Sequence, residues 1–161
     1  MDNKCPVCNM HVAEPKCHDH RGNEMHRYSC PRCGDYNIET DFEELELTHI
    51  LNSDNKKIAT LSHWIRTEHE SNMKEQIYDR FFQKTITLDQ ELVENVIKTS
   101  PPSLVQQANN FVLWLGDKTS PSKEELVEGN EHQAITGSKT PEEFHFVLSH
   151  LSDDGGSCQT L

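Results

Sequence analysis

Two cysteine pairs carry the clearest chemistry in this sequence, Cys5-Pro6-Val7-Cys8 and Cys30-Pro31-Arg32-Cys33. In a C-x-x-C pair one tight turn presents two sulfurs to one ion, and two such pairs about twenty residues apart match the ligand spacing of structural zinc sites. The spacing therefore predicts one structural Zn²⁺ held by Cys5, Cys8, Cys30 and Cys33. Pro6 and Pro31 stiffen the turns, and Gly34 supplies the positive φ that often follows such a turn. Two disulfides or a redox pair are the competing readings. A redox pair opens a helix after a strand in a βαβ setting, and neither pair has those surroundings. Four sulfurs close the coordination shell, so the predicted ion is a staple and not a catalyst.

The elements that must position these sulfurs come next. Residues 1–40 are expected to form a zinc ribbon. Its strands would run from Val12 to Lys16 and from Met25 to Ser29 about a turn at Arg21-Gly22-Asn23-Glu24, with a third from Tyr36 to Thr40. Residues 41–99 read as helical. Thr40 or Asp41 caps a helix with Phe42, Leu45 and His49 on one side, and Asn52 to Asn55 break it. A second helix over 56–70 carries Ile58, Leu61 and Ile65 beside Trp64, and a further segment holds Met73, Ile77, Phe81 and Phe82. Thr85 to Thr87 is a short extended piece, and Asp89 caps a helix with Leu92, Val93, Val96 and Ile97.

Thr99-Ser100-Pro101-Pro102 is the strongest break. In residues 100–152, Ser103 caps a helix carrying Leu104, Ala108, Phe111, Val112 and Leu115 and ending at Gly116. A polar stretch with a short strand from Ala134 to Thr136 follows. Thr140-Pro141-Glu142-Glu143 then starts a helix whose core face is Phe144, Val147, Leu148 and Leu151. Residues 153–161 are a loose tail. The expected class is α+β: an N-terminal zinc ribbon followed by a mainly helical, winged-helix-like region.

Other reactive residues cluster between the cysteine pairs. Cys17, His20 and His26, with His11 to complete the count, would supply a second zinc in a cross-brace. The simpler reading leaves Cys17 and the histidines exposed on a ribbon hairpin, since four ligands already close one site. Asp19-His20 followed by Asn23 weakly matches His-Asn-His nucleases, but those need a metal-binding His on a helix after the second pair, and this sequence has a turn and strand there. Cys17 beside His18 is no nucleophile pair, because adjacent strand residues face opposite ways. His63, His69, His132, His145 and His150 are scattered and read as ordinary surface or boundary histidines, and Trp64 and Trp114 as core. No catalytic residues are assigned, and the chain reads as non-enzymatic.

Composition narrows the partners. The 161-residue chain carries a net charge of −12, with 15 Lys and Arg against 27 Asp and Glu. Only residues 1–40 are near balance, with Arg21, Arg27 and Arg32 among their cations. A phosphate-binding face needs clustered cations, so a nucleic-acid-binding regulator is the alternative that the acidic charge disfavours, and a protein partner is expected, with those three arginines as candidate contacts. The longest apolar run, Phe111 to Leu115, is far too short to span a bilayer. The polar, acidic start does not read as a signal peptide, and thiols suited to a metal imply a reducing, cytoplasmic setting.

The stretch Tyr28-Ser29-Cys30-Pro31-Arg32-Cys33-Gly34-Asp35-Tyr36-Asn37-Ile38, with Cys5-Pro6-Val7-Cys8 before it, resembles a zinc-ribbon module found at the N-terminus of many uncharacterised bacterial proteins. Leu61-Ser62-His63-Trp64-Ile65-Arg66 and Glu142-Glu143-Phe144-His145-Phe146-Val147-Leu148 also fit that pattern. Such modules often precede TIR-like or nucleoside-deoxyribosyltransferase-like effector domains. The resemblance implies an interaction or sensing role tied to a bacterial defence effector. It offers no catalytic residues, and this chain stops where an effector would begin, after Asp153-Asp154-Gly155-Gly156-Ser157.

Overall fold

The computed structural model describes residues 3–20, 22–78, 85–118 and 129–153. Strands β1 (Lys16–His20), β2 (Asn23–Cys30), β3 (Gly34–Glu39) and β4 (Ile86–Leu88) form one sheet in that spatial order. The first three are antiparallel neighbours, whereas β4 runs parallel to β3, with Tyr36 opposite Ile86 and Ile38 opposite Leu88. Parallel neighbours cannot be joined by a tight turn. The crossover here contains α1 (Thr40–Phe42), a π-helical turn (Glu43–Leu47), α2 (Thr48–Leu51) and α3 (Asn55–Tyr78). After β4 come α4 (Gln90–Ile97), α5 (Leu104–Lys118), α6 (Gly129–Thr136) and α7 (Pro141–Asp153).

The alternation of β3 explains its burial. Gly34, Tyr36 and Ile38 face inward, and on β4 Ile86 and Leu88 do the same. Leu61 and Ile65 of α3, Val93 and Val96 of α4, and Phe42, Leu47 and Leu51 of the crossover pack with them. Cys5, Val7, Cys30 and Cys33 belong to this same core. A second cluster joins the C-terminal helices. Phe111 stacks on Trp114 at 5.9 Å and meets the edge of Phe144 at 5.9 Å, and Ile135 closes the group. Helix α3 touches both β3 and α6, so it links the two cores. The architecture is thus mixed α+β.

Several local expectations hold. Asp89 accepts from the Leu92 amide at 2.8 Å and caps α4. Ser103 and Gln106 cap α5 reciprocally, Ser103 N donating to Gln106 Oε1 at 2.8 Å and Gln106 N to Ser103 Oγ at 3.4 Å. The extended piece expected from Thr85 to Thr87 appears as β4, and α7 begins at Pro141. Asn52 and Ser53 both take positive φ, 45° and 55°, which breaks the chain before α3.

Others need correction. The first hairpin strand is Lys16–His20, and Val12 does not begin it. His11 and Val12 instead pair back with Lys4 and Asn3, and Pro15, which has no N–H to donate, precedes the strand. Leu45 does not share a face with Phe42 and is 67% exposed. The i→i+5 bonds of a π turn shift the register, so Leu47 and Leu51 take the buried places. The segment around Met73 is no separate element, because α3 continues to Tyr78, and Phe81 and Phe82 lie outside the described residues. Helix α5 runs past Gly116 to Lys118, with open space around that glycine.

Ala134, Ile135 and Thr136 form no strand. They end α6 and all three are buried. A short apolar run reads alike as a strand and as a helix buried on several sides. Its polar groups are satisfied internally. Ser138 Oγ donates to Gln107 Oε1 at 2.8 Å, and Gln133 Nε2 donates to the Ser138 carbonyl at 2.9 Å. Gln107 Nε2 reaches the Pro102 carbonyl at 3.0 Å and Glu143 Oε1 at 3.2 Å, tying α5 to α7.

Candidate metal centre

The first cysteine pair sits on a small loop closed by the Lys4–His11 bridge. Cys5 N donates to the Met10 carbonyl at 2.8 Å, Asn9 N donates to the Cys5 carbonyl at 2.9 Å, and Asn9 takes a φ of 59°. The second pair lies on the turn between β2 and β3, where Cys30 pairs with Gly34. Cys33 N donates to Cys30 Sγ at 3.4 Å, an amide-to-sulfur bond that sets the turn around the sulfur.

The two turns converge. The sulfurs of Cys5, Cys8, Cys30 and Cys33 all lie within 4.8 Å of one another. Cys5 Sγ is 3.9 Å from Cys33 Sγ, and Cys8 Sγ is 3.5 Å from Cys30 Sγ. A disulfide needs about 2.05 Å, so these are free thiols and not bridges. A tetrahedral ion with metal–sulfur bonds of about 2.3 Å separates its sulfurs by about 3.8 Å, and the observed spacings bracket that value. The donor set and its geometry fit a bound metal ion.

The surrounding fold supplies hydrogen bonds to the sulfurs. The Tyr36 hydroxyl reaches Cys5 Sγ at 3.0 Å from β3, and the Ser62 hydroxyl reaches Cys33 Sγ at 3.2 Å from α3. Such donors orient ligand sulfurs and spread their charge. Arg66 Nη1 donates to the Pro31 carbonyl at 3.1 Å, fastening α3 to the second turn. Without a cation, four sulfurs this close cannot all ionise. Burial pushes the Cys33 thiol well above its ordinary value. Burial also opposes ionisation of Cys5, but hydrogen bonds from Cys30, Cys33, Cys8 and Tyr36 outweigh it and hold Cys5 well below. Burial, then the neighbouring Cys5 charge, push the Tyr36 phenol up.

Tyr36 was expected only as a strand residue and Ser62 only as part of the Leu61–Arg66 stretch, and the packing of α3 on β3 is what brings both hydroxyls to sulfur. His69 was read as an ordinary surface or boundary residue. Its Nδ1 accepts from the Asp35 amide at 3.2 Å, directly behind the second turn.

The remaining candidates divide. Cys17 and His26 do meet, as a directly opposed pair across β1 and β2, and Glu24 joins them. The His20 side chain lies outside the described residues, and His11 belongs to neither cluster among those residues. Asp19 accepts from the Gly22 amide at 3.2 Å and Asn23 donates to Glu39 at 2.6 Å, so both serve the hairpin. Of the three arginines, Arg27 pairs with Asp35 at 3.5 Å, Arg32 is half-buried, and Arg21 lies outside the described residues.

His63, expected at the surface or at a boundary, lies at the boundary between α3 and α6. It is partly buried on α3, and its Nδ1 lies 2.7 Å from the Ala134 carbonyl of α6, to which it donates. Burial lowers its pKa, only partly offset by that bond. The folded state therefore binds the proton less readily than the unfolded chain. Its contribution is fully present above the ordinary value of 6.5 and is lost as pH falls below it. The stability of the wild type is expected to fall more steeply than that of His63→Gln between about pH 6.5 and pH 5, as read by denaturant melts at matched ionic strength. Parallel curves would show that His63 titrates equally in both states.

These features define a mixed α+β protein with a four-cysteine cluster able to hold a metal ion. Among the described residues no helix is long and apolar enough to cross a membrane. No family model, curated protein or solved structure matches the chain.

Proposed function

We propose that the chain is a zinc-stapled, non-enzymatic interaction module, its N-terminal sheet a ribbon fixed by one ion at Cys5, Cys8, Cys30 and Cys33. The sulfur-only donor set suits zinc and leaves no coordination position for substrate. The observation that carries the interaction reading is helix α5. Phe111 and Trp114 pack inward, yet Val105 is 71% exposed and Leu113 69% exposed, with Val112 beside them. A surface helix of an isolated domain is polar on its outer side, and an outer side this apolar marks a protein contact. The nucleic-acid alternative lacks comparable support, since Arg27 is already paired with Asp35. A role beside a bacterial defence effector, in the cytoplasm, is the same reading with the effector as the partner.

A photo-crosslinking side chain placed at position 112 of the full chain, expressed in its native cells, tests this. A discrete protein adduct is expected, and it should vanish in the Val105→Glu, Leu113→Glu double variant while metal content and melting temperature stay unchanged. Absence of any adduct, or an adduct indifferent to the double substitution, would overturn the interaction reading.

A further inference from the structure

We propose that Cys17, Glu24 and His26 form a second metal site, separate from the four-cysteine cluster, that takes a divalent ion of the zinc class and leaves at least one coordination position open. Cys17 on β1 lies directly opposite His26 on β2, and Glu24 is two residues from His26 on the same strand. Period-two alternation therefore sets all three on one face. The sulfur of Cys17, a carboxylate oxygen of Glu24 and a ring nitrogen of His26 all lie within 4.8 Å of one another.

The second observation is how His26 is held. Its Nδ1 lies 3.0 Å from Glu43 Oε2, and both side chains are largely buried, at 18% and 15% exposed. Glu43 also accepts from the Tyr28 hydroxyl. Nδ1–H donating to a carboxylate leaves the Nε2 lone pair free, the arrangement that histidine ligands of metals adopt. Glu43 opens the π-helical turn, an irregularity that recurs at functional sites. The same turn leaves Leu45 exposed and buries Leu47 in its place.

The chemistry balances. Binding releases the Cys17 thiol proton to solvent, and the resulting thiolate and the Glu24 carboxylate neutralise a dication. Three mixed S, N and O ligands are the number found in open zinc sites, whereas four sulfurs close a structural one. Strand β1 is the edge of the sheet and Cys17 is exposed, so the open position faces solvent, where water or a donor from a partner can occupy it.

The test is a Co²⁺ titration of the full chain carrying Cys158→Ser, which removes the tail thiol. Two ions per chain are expected, the second with a weaker thiolate-to-cobalt absorption because it has one sulfur. Cys17→Ala and His26→Ala should each stop at one ion with the first phase intact. Glu24→Gln, a change at an exposed side chain, should weaken the second phase without altering the circular dichroism. Glu43→Gln keeps every ligand and should lower the second affinity about 10–100-fold. A wild-type stoichiometry of one overturns the proposal, as does a second phase that survives in Cys17→Ala or His26→Ala.

Discussion

Changing Cys33 to Ser is expected to abolish ion binding at the four-cysteine cluster and with it the cooperative unfolding of the sheet core. Cys33 is wholly buried, its sulfur lies beside Cys5 Sγ and the Ser62 hydroxyl, and its amide donates to Cys30 Sγ. A three-sulfur site with a hard hydroxyl in the fourth place binds such an ion far more weakly. Structural zinc contributes on the order of 10–16 kcal/mol in small zinc-finger peptides, as much as or more than the total stability of a typical domain, about 5–15 kcal/mol. The loss is not confined to a surface loop, because Cys5, Cys30 and Cys33 pack with Leu61, Ile65 and Leu88 in one core. The near-ultraviolet tyrosine signal is a suitable reporter, since Tyr36 bonds Cys5 and stacks on Tyr28 at 5.5 Å. That signal should disappear both in Cys33→Ser and in wild-type protein treated with a strong chelator under reducing conditions. Ion-free, reduced protein that keeps the signal and melts within a degree or two of the loaded form would remove the metal from the account of this fold.

The four sulfurs were legible because their information is local. C-x-x-C fixes a turn within four residues, and two such turns need only one hairpin between them to meet. Caps were legible for the same reason, as at Asp89 and Ser103. What failed depended on contacts distant in sequence. The strand expected from Ala134 to Thr136 is helical because α3 and α5 bury it on several sides, and no property of three residues reveals that. Leu45 turned outward because a π turn replaces α-helical spacing, and the residue that benefits, Glu43, meets a histidine 17 positions earlier in the chain. The second zinc weighed from the sequence drew on Cys17, His20, His26 and His11. Strand register, which the sequence did not specify, keeps Cys17 and His26 together and brings in Glu24.

Gly34→Ala should weaken metal retention although it alters no ligand. Gly34 directly follows Cys33 with a φ of +93°, a conformation that side-chain-bearing residues resist at about 1–2 kcal/mol. A methyl there would also lie 2.7 Å from His69 Cγ, inside van der Waals contact. His69 cannot swing away freely, because its Nδ1 accepts the Asp35 amide. Overpacking of this kind costs a further 1–3 kcal/mol or so, giving a loss of roughly 2–5 kcal/mol in all. Gly22 provides the control within the same chain. Its φ is +89°, yet nothing lies within 4 Å of the added carbon. Gly22→Ala therefore carries the backbone term alone and should leave ion affinity unchanged. The difference between the two melts isolates the close approach of α3 to the second cysteine turn. Trimming the obstacle, as His69→Ala in the Gly34→Ala background, should restore part of that difference and raise ion retention, measured by competition with a colorimetric chelator. Equal effects of the two glycine substitutions would mean that backbone strain alone accounts for Gly34, and that His69 does not brace the site.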